Sequence, residues 1–110
     1  MINTAITLPM EKIADFCQKW QVKELALFGS ILRSDFNENS DVDVMVTFYS
    51  EAHPTLFDLA EMEDELTQLF QRKVDLITRK GIETSRNYLR RQAILSSSQV
   101  IYGTRPTIFA

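Results

Sequence analysis

The stretch Gly29–Phe48 reads GSILRSDFNENSDVDVMVTF, and it holds three kinds of local order in succession. Its end, Asp41–Phe48 (DVDVMVTF), alternates: Val42, Val44 and Val46 face one way, Asp41, Asp43 and Met45 the other. A repeat of two is the signature of a β-strand, because successive side chains leave a pleated chain on opposite sides. Its middle, Ser34–Ser40 (SDFNENS), is polar and rich in the Asn and Ser residues that favour turns. At its start, Gly29-Ser30 ends an apolar run, Val22–Phe28 (VKELALF), that reads as a strand. A brief helix is expected to run from there toward Arg33.

Working outward, Thr55–Phe70 carries the clearest helical pattern. Leu56, Leu59, Met62, Leu66 and Leu69 recur as one stripe, and Thr55 with Asp58 has the spacing of a capping box. Lys73–Thr78 (KVDLIT) reads as a third strand, closed by Gly81. Upstream, Ile13, Phe16, Cys17 and Trp20 follow Pro9 at helical spacing, which predicts a helix over Met10–Trp20. A further helix is expected from near Glu83, carrying Tyr88, Leu89 and Ala93. Val100-Ile101-Tyr102 reads equally as its extension or as a short strand, and the residues after Gly103 receive no assignment. Helix, strand, short helix, strand, helix, strand, helix is the order of a small α/β domain with helices mainly on one face of its sheet.

The whole chain bounds what such a domain can do. It has 110 residues, 45% hydrophobic and 25% charged, the composition of one soluble globular domain spanning 1–110. Twelve Lys and Arg stand against 15 Asp and Glu, a net charge of -3. That balance does not favour a sequence-independent grip on DNA or RNA. Cys17 is the single cysteine and His53 the single histidine, so disulfides and His- or Cys-pair zinc sites are excluded within the chain. Without an export leader pattern or a membrane-spanning run, the expected location is the cytoplasm.

Three carboxylates interrupt apolar strands, and burying such a charge without a cation or strong donors is costly. Asp41 and Asp43 share a face, and Asp75 shares one with Ile77. If their strands are neighbours, the three form an oxygen cage suited to hydrated Mg2+, an ion that clamps phosphate oxygens during nucleotidyl transfer. Gly29-Ser30, at a strand-to-helix junction, offers backbone N–H groups and a hydroxyl to a phosphate, with Arg33 one turn on. Taken singly, each residue has an ordinary reading: Asp41 as the end of a polar loop, Asp75 as a strand-end partner of Lys73 or Arg79, Gly-Ser as turn material. Jointly, Gly-Ser, ten residues, then Asp-x-Asp arises by chance in on the order of one chain in a thousand.

With these residues, GSILRSDFNENSDVDVMVTF followed by KVDLIT, the chain resembles the minimal nucleotidyltransferases of the DNA polymerase beta superfamily. The resemblance spans about residues 22–95 and implies a nucleotidyltransferase-like fold, a small mixed sheet. By that likeness Gly29, Ser30 and Arg33 bind the triphosphate of ATP. Asp41 and Asp43 coordinate two Mg2+ ions, and Asp75 completes the metal site and helps activate the attacking hydroxyl. Ser34 stands where many relatives have glycine. Small stand-alone members resemble antitoxins whose partner, encoded in the adjacent gene, is a HEPN-class ribonuclease toxin. The resemblance implies transfer of AMP to a tyrosine of that toxin, within a hetero-oligomer. Two alternatives stand beside it: an antitoxin that works by binding alone, and transfer to a small-molecule or RNA hydroxyl. Arg86 and Arg90 read as one solvated helix face, Tyr88 as packing or an adenine platform, and Tyr102 and Phe109 as interface residues.

Overall fold

A computed structural model describes residues 8–32, 37 and 39–103, the side chain of Ser30 excepted. Arg33 and Phe109, both singled out above, lie outside the described residues. The elements are α1 (Met10–Trp20), β1 (Val22–Phe28), a 3-10 turn (Gly29–Leu32), β2 (Val42–Phe48), α2 (Leu56–Phe70), β3 (Val74–Thr78), α3 (Arg79–Glu83), α4 (Tyr88–Ser97) and β4 (Gln99–Gly103). The sheet order is β3-β2-β1-β4. β1 pairs antiparallel with β2 and with β4, whereas β2 and β3 are parallel and joined by α2, so the sheet is mixed.

Local chemistry sets the helix ends. Thr55 and Asp58 close the capping box: the Asp58 N–H donates to Thr55 Oγ1 at 3.1 Å and the Thr55 N–H donates to Asp58 Oδ2 at 2.9 Å. α1 and α2 both stop on a glutamine in the left-handed conformation, Gln21 (φ 59) and Gln71 (φ 57). Ile13, Phe16 and Cys17 of α1 and Met62, Leu66 and Phe70 of α2 pack against Val42, Val44, Val46, Leu25 and Leu27 to form the main core. Burying each valine of β2 contributes about 1.5–3 kcal/mol. Enclosure among these side chains pushes the Cys17 thiol up to about 12, since burial disfavours the thiolate.

The two longest helices thus share one face. The short α3 and α4 cover part of the other, where Ala26, Phe28, Met45, Ile82 and Ile94 form a smaller cluster. The central strand β1 is buried on both sides from Leu25 to Phe28, which explains why VKELALF lacks clean alternation. The edge strand β3 is covered by α2: Thr67 Oγ1 accepts the Val74 N–H at 3.3 Å and Glu63 Oε2 accepts the Leu76 N–H at 3.0 Å.

Several expectations are corrected. Gly81 does not close a strand; it lies inside α3, which starts directly after β3 because Thr78 Oγ1 accepts the Gly81 N–H at 3.0 Å. The following helix starts at Tyr88 rather than near Glu83, where Asn87 Oδ1 accepts the Arg90 N–H at 3.0 Å. Arg86 precedes that helix, so Arg86 and Arg90 do not share a helix face. Val100–Tyr102 belongs to a strand. Leu56, Tyr88 and Leu89 are 84%, 57% and 77% exposed and are not core. Among the described residues, no helix is long and apolar enough to cross a membrane.

Candidate active site at the start of the parallel pair

β2 and β3 begin side by side. The Val42 N–H donates to the Lys73 carbonyl at 2.9 Å, and the register then runs Val42↔Val74, Asp43↔Asp75, Val44↔Leu76. Registered neighbours in a sheet lie about 4.8 Å apart and point to the same face. Asp43 and Asp75 are therefore adjacent, on the face opposite the main core. Asp41, two residues before Asp43 and just outside the strand, falls on that same side. Asp41 and Asp43 are half-buried and Asp75 is exposed on the edge strand.

From the other side, β1 delivers the Gly-Ser turn. Phe28 is registered with Asp43, and Gly29 follows in the left-handed region, φ +78. A Cβ built on Gly29 would overlap Asp43 Oδ2 and lie 3.2 Å from its Cγ. The Asp43 carboxylate thus lies directly against the Gly29 backbone, a place open only to glycine on both steric and conformational grounds. The backbone of Ser30 continues into the 3-10 turn.

The third approach is the segment leading into Asp41. The Ser40 N–H donates to the Asn37 carbonyl at 2.9 Å, and the Asn39 N–H to Asn37 Oδ1 at 2.8 Å. Arg72, beyond the end of α2, donates from Nη1 to the carbonyls of Asn37 (2.9 Å) and Ser40 (3.5 Å). Sequence reasoning missed Arg72. Its signal is conditional: once Val42 is registered with Val74, Arg72 falls opposite Ser40, and nothing short of that register singles it out.

The backbone thus brings Gly29, Ser30, Asp41, Asp43 and Asp75 to one end of one sheet face. Among the described residues, no group of three or more Asp, Glu, His or Cys side chains stands ready to hold a metal ion. Asp43 is seated against Gly29, while Asp75 stands on the exposed edge. The donor chemistry itself, carboxylate oxygen, suits Mg2+. A wide groove lies elsewhere. It measures about 750 Å³ and occupies the opposite end of β2 and β3, between Phe48–Pro54 and Thr78–Glu83.

A sequence profile described as a nucleotidyltransferase domain matches residues 10–100, taking in every element around these carboxylates. The chain belongs to the nucleotidyltransferase domain family. Among its relatives, a Methanocaldococcus jannaschii protein provisionally named a protein adenylyltransferase is 42% identical over 64 residues, 58% of the chain and 64% of the relative. The protein adenylyltransferase MntA of Thermococcus cleftensis is 34% identical over 67 residues, 61% and 66% of the two chains. The chain therefore spans less than two thirds of the length of these relatives. Its fold is that of a toxin–antitoxin crystal structure with AMP-PNP: TM-score 0.68, 21% identity, 89% of this chain and 76% of that one. A complex of a tri-AMPylated Shewanella oneidensis HEPN toxin with an MNT antitoxin has the same fold, with TM-score 0.58, 20% identity, and 86% and 69% coverage.

Proposed function

We propose that this nucleotidyltransferase transfers AMP from ATP to a tyrosine hydroxyl of a HEPN-type ribonuclease encoded beside it, silencing that partner in the cytoplasm, where ATP and Mg2+ are abundant. One observation carries the reading: the Gly29 turn is packed onto the Asp43 carboxylate while Asp75 stands in register beside it. A triphosphate seated on the Gly29-Ser30 backbone would have its reactive phosphorus next to the carboxylates, and Arg33, three residues on in the sequence, is proposed as a further phosphate ligand. Asp41 and Asp43 would hold Mg2+, and Asp75 would join them. The bound ion supplies neutralisation of phosphate charge and an in-line alignment of entering and leaving oxygens.

The chain's own residues do the rest. Asp75, exposed, takes the proton of the entering tyrosine hydroxyl and passes it to solvent. The tyrosine oxygen bonds to the α-phosphorus as the bond from that phosphorus to the pyrophosphate oxygen breaks, giving AMP-tyrosine and pyrophosphate. Arg72 keeps the segment before Asp41 in place without touching the reactants. The relatives named as adenylyltransferases and the AMPylated toxin complex support this choice of donor and acceptor.

The test is incubation of the protein with ATP labelled at the α-phosphate, Mg2+ and the neighbouring gene product. Label should appear on a partner tyrosine and vanish with Asp43→Asn at unchanged circular dichroism. An Asp43→Asn protein that labels the partner at the wild-type rate would refute the reading. One that silences it stoichiometrically without label would establish inhibition by binding alone.

A further inference from the structure

The sheet has two ends, and only one has been assigned a task. From Asp43 to Phe48 β2 covers about 17 Å, and each helix that follows it begins at the far end. α2 starts there with Leu56 and Phe57, and α3 starts there because β3 is parallel to β2. α4 must start there too, since it leads into β4, whose Gln99 is registered with Leu27 one residue from Phe28 and hence close to Asp43. The Arg91 guanidinium fixes this: Nη1 donates to the carbonyls of Glu83 (3.4 Å) and Ser85 (3.3 Å), tying the first turn of α4 to the end of α3.

Six large hydrophobic residues are exposed among the described ones. Five of them, Tyr49 (49%), Leu56 (84%), Phe57 (88%), Tyr88 (57%) and Leu89 (77%), lie at this far end; Met10 is the exception. The 750 Å³ groove opens beside Tyr49, and Lys80 lines it. Chance scatter does not gather exposed leucine and aromatic side chains at one pole, and such a set marks an interaction surface.

Charge says what covers it. Residues 79–98 contain five Lys and Arg against one Glu, in a chain of net charge -3. Arg79 is paired with Glu83 at 2.9 Å and Arg91 stacks on the Tyr88 ring at 5.3 Å, which leaves exposed Lys80, Arg86 and Arg90 to face a ligand. Tyr88 and Leu89, set among these cations, fit a protein segment whose apolar side chains are flanked by carboxylates, whereas Leu56 and Phe57 stand in a stretch that carries Glu51, Asp58 and Glu61. Nucleic acid would use the cations and a tyrosine but gains little from Leu89.

We propose that the α3–α4 side of the far end, Tyr88 and Leu89 with Lys80, Arg86 and Arg90, is a docking surface for an acidic, apolar segment of the partner protein, separate from the carboxylate site. The inference rests on the partner reading above. Docking at one pole raises the local concentration of the acceptor at the other, so this surface governs recognition of the acceptor and not the chemical step.

The test uses the full chain with the purified neighbouring gene product. Binding is measured by calorimetry without ATP, and AMP transfer at varied partner concentration. Tyr88→Asp with Leu89→Asp, and separately Lys80→Glu with Arg90→Glu, should each weaken binding and raise KM for the partner at least tenfold. They should leave kcat and KM for ATP unchanged; the two pairs guard against misfolding of either, checked by circular dichroism. Wild-type KM and affinity in both variants would overturn the proposal. So would a wild-type dimer in sedimentation that Leu89→Asp dissociates, or loss of binding to a single-stranded RNA oligonucleotide with partner binding intact. Partner binding without label sinks the transfer reading alone, label without sensitivity to these variants sinks the docking proposal alone, and no binding by the wild type sinks both.

Discussion

Replacing Gly29 by alanine should separate the geometry of the carboxylate site from the stability of the fold. The substitution does two things. It forces a residue with a Cβ into φ +78, where left-handed backbone costs about 1–2 kcal/mol. It also places that Cβ on Asp43 Oδ2, so the carboxylate must move by on the order of 1 Å, and a displacement of that size at a reacting centre costs about a hundredfold in rate. The first effect lowers the melting temperature by about 5–15 °C, too little to unfold the chain at 25 °C when domains are stable by about 5–15 kcal/mol. Melting followed by circular dichroism reads the first effect, and labelled AMP transfer to the partner at 25 °C and saturating ATP reads the second. Gly103→Ala is the matched control: its φ is +131 and its Cβ would press on the Lys23 carbonyl, away from the carboxylates. It should lose stability and keep activity. A Gly29→Ala protein that transfers AMP within about threefold of the wild-type rate would refute the claim that contact between Gly29 and Asp43 sets the site, because the 1 Å displacement could not then matter.

Three further outcomes follow from the same structure. Arg72→Ala removes the guanidinium from the Asn37 and Ser40 carbonyls and should cost about 1 kcal/mol, read by urea unfolding. It should also slow transfer several-fold and speed amide exchange in the segment before Asp41, with partial rescue by Arg72→Lys. Thr55→Ala opens the capping box of α2 and should lower stability by about 1 kcal/mol, while Asp58→Ala, which removes the reciprocal half, should do no more than that. The Cys17 thiol, pushed up to about 12 by burial, stays protonated in the folded chain while it ionises near 9 in the unfolded one. This group therefore leaves stability unchanged below about pH 9 and lowers it progressively from there toward pH 12. Unfolding midpoints of wild type and Cys17→Ala should run parallel below pH 9 and converge or cross above it, and iodoacetamide should label Cys17 only in denaturant.

The elements most legible in the sequence are those whose pattern is written in consecutive residues. Val42, Val44 and Val46 could be assigned to one face because β2 has a hydrocarbon-packed side and a polar-bearing side, and Thr55 with Asp58 marked a helix start because a capping box is local chemistry. What failed is what depends on where other elements end. Leu56, Tyr88 and Leu89 satisfy a helical apolar period, but that period carries no record of how far the sheet extends beneath the helix. Gly81 was misread because its N–H finds Thr78 Oγ1, a capping bond that competes with the usual reading of glycine as a breaker. The Gly-Ser turn and the Asp-x-Asp pair could be linked by spacing alone, whereas Arg72 acquires its position only from the β2–β3 register. The parallel pairing also places Asp75 beside Asp43, a relation the sequence leaves conditional on which strands are neighbours.

The two side-chain bonds that α2 makes to β3 have a bearing on how an acceptor can arrive. An exposed sheet edge next to a reactive centre invites a visiting chain to add as a further strand, held by main-chain bonds. Here the outward N–H groups of Val74 and Leu76 are already engaged by Thr67 and Glu63, so the margin beside Asp75 is shut to strand addition and to pairing between copies of the protein. Under the proposed function, a tyrosine would come down onto the carboxylates from above the sheet, as a side chain projecting from a folded surface. The margin that α2 seals thereby favours a structured acceptor over an extended peptide.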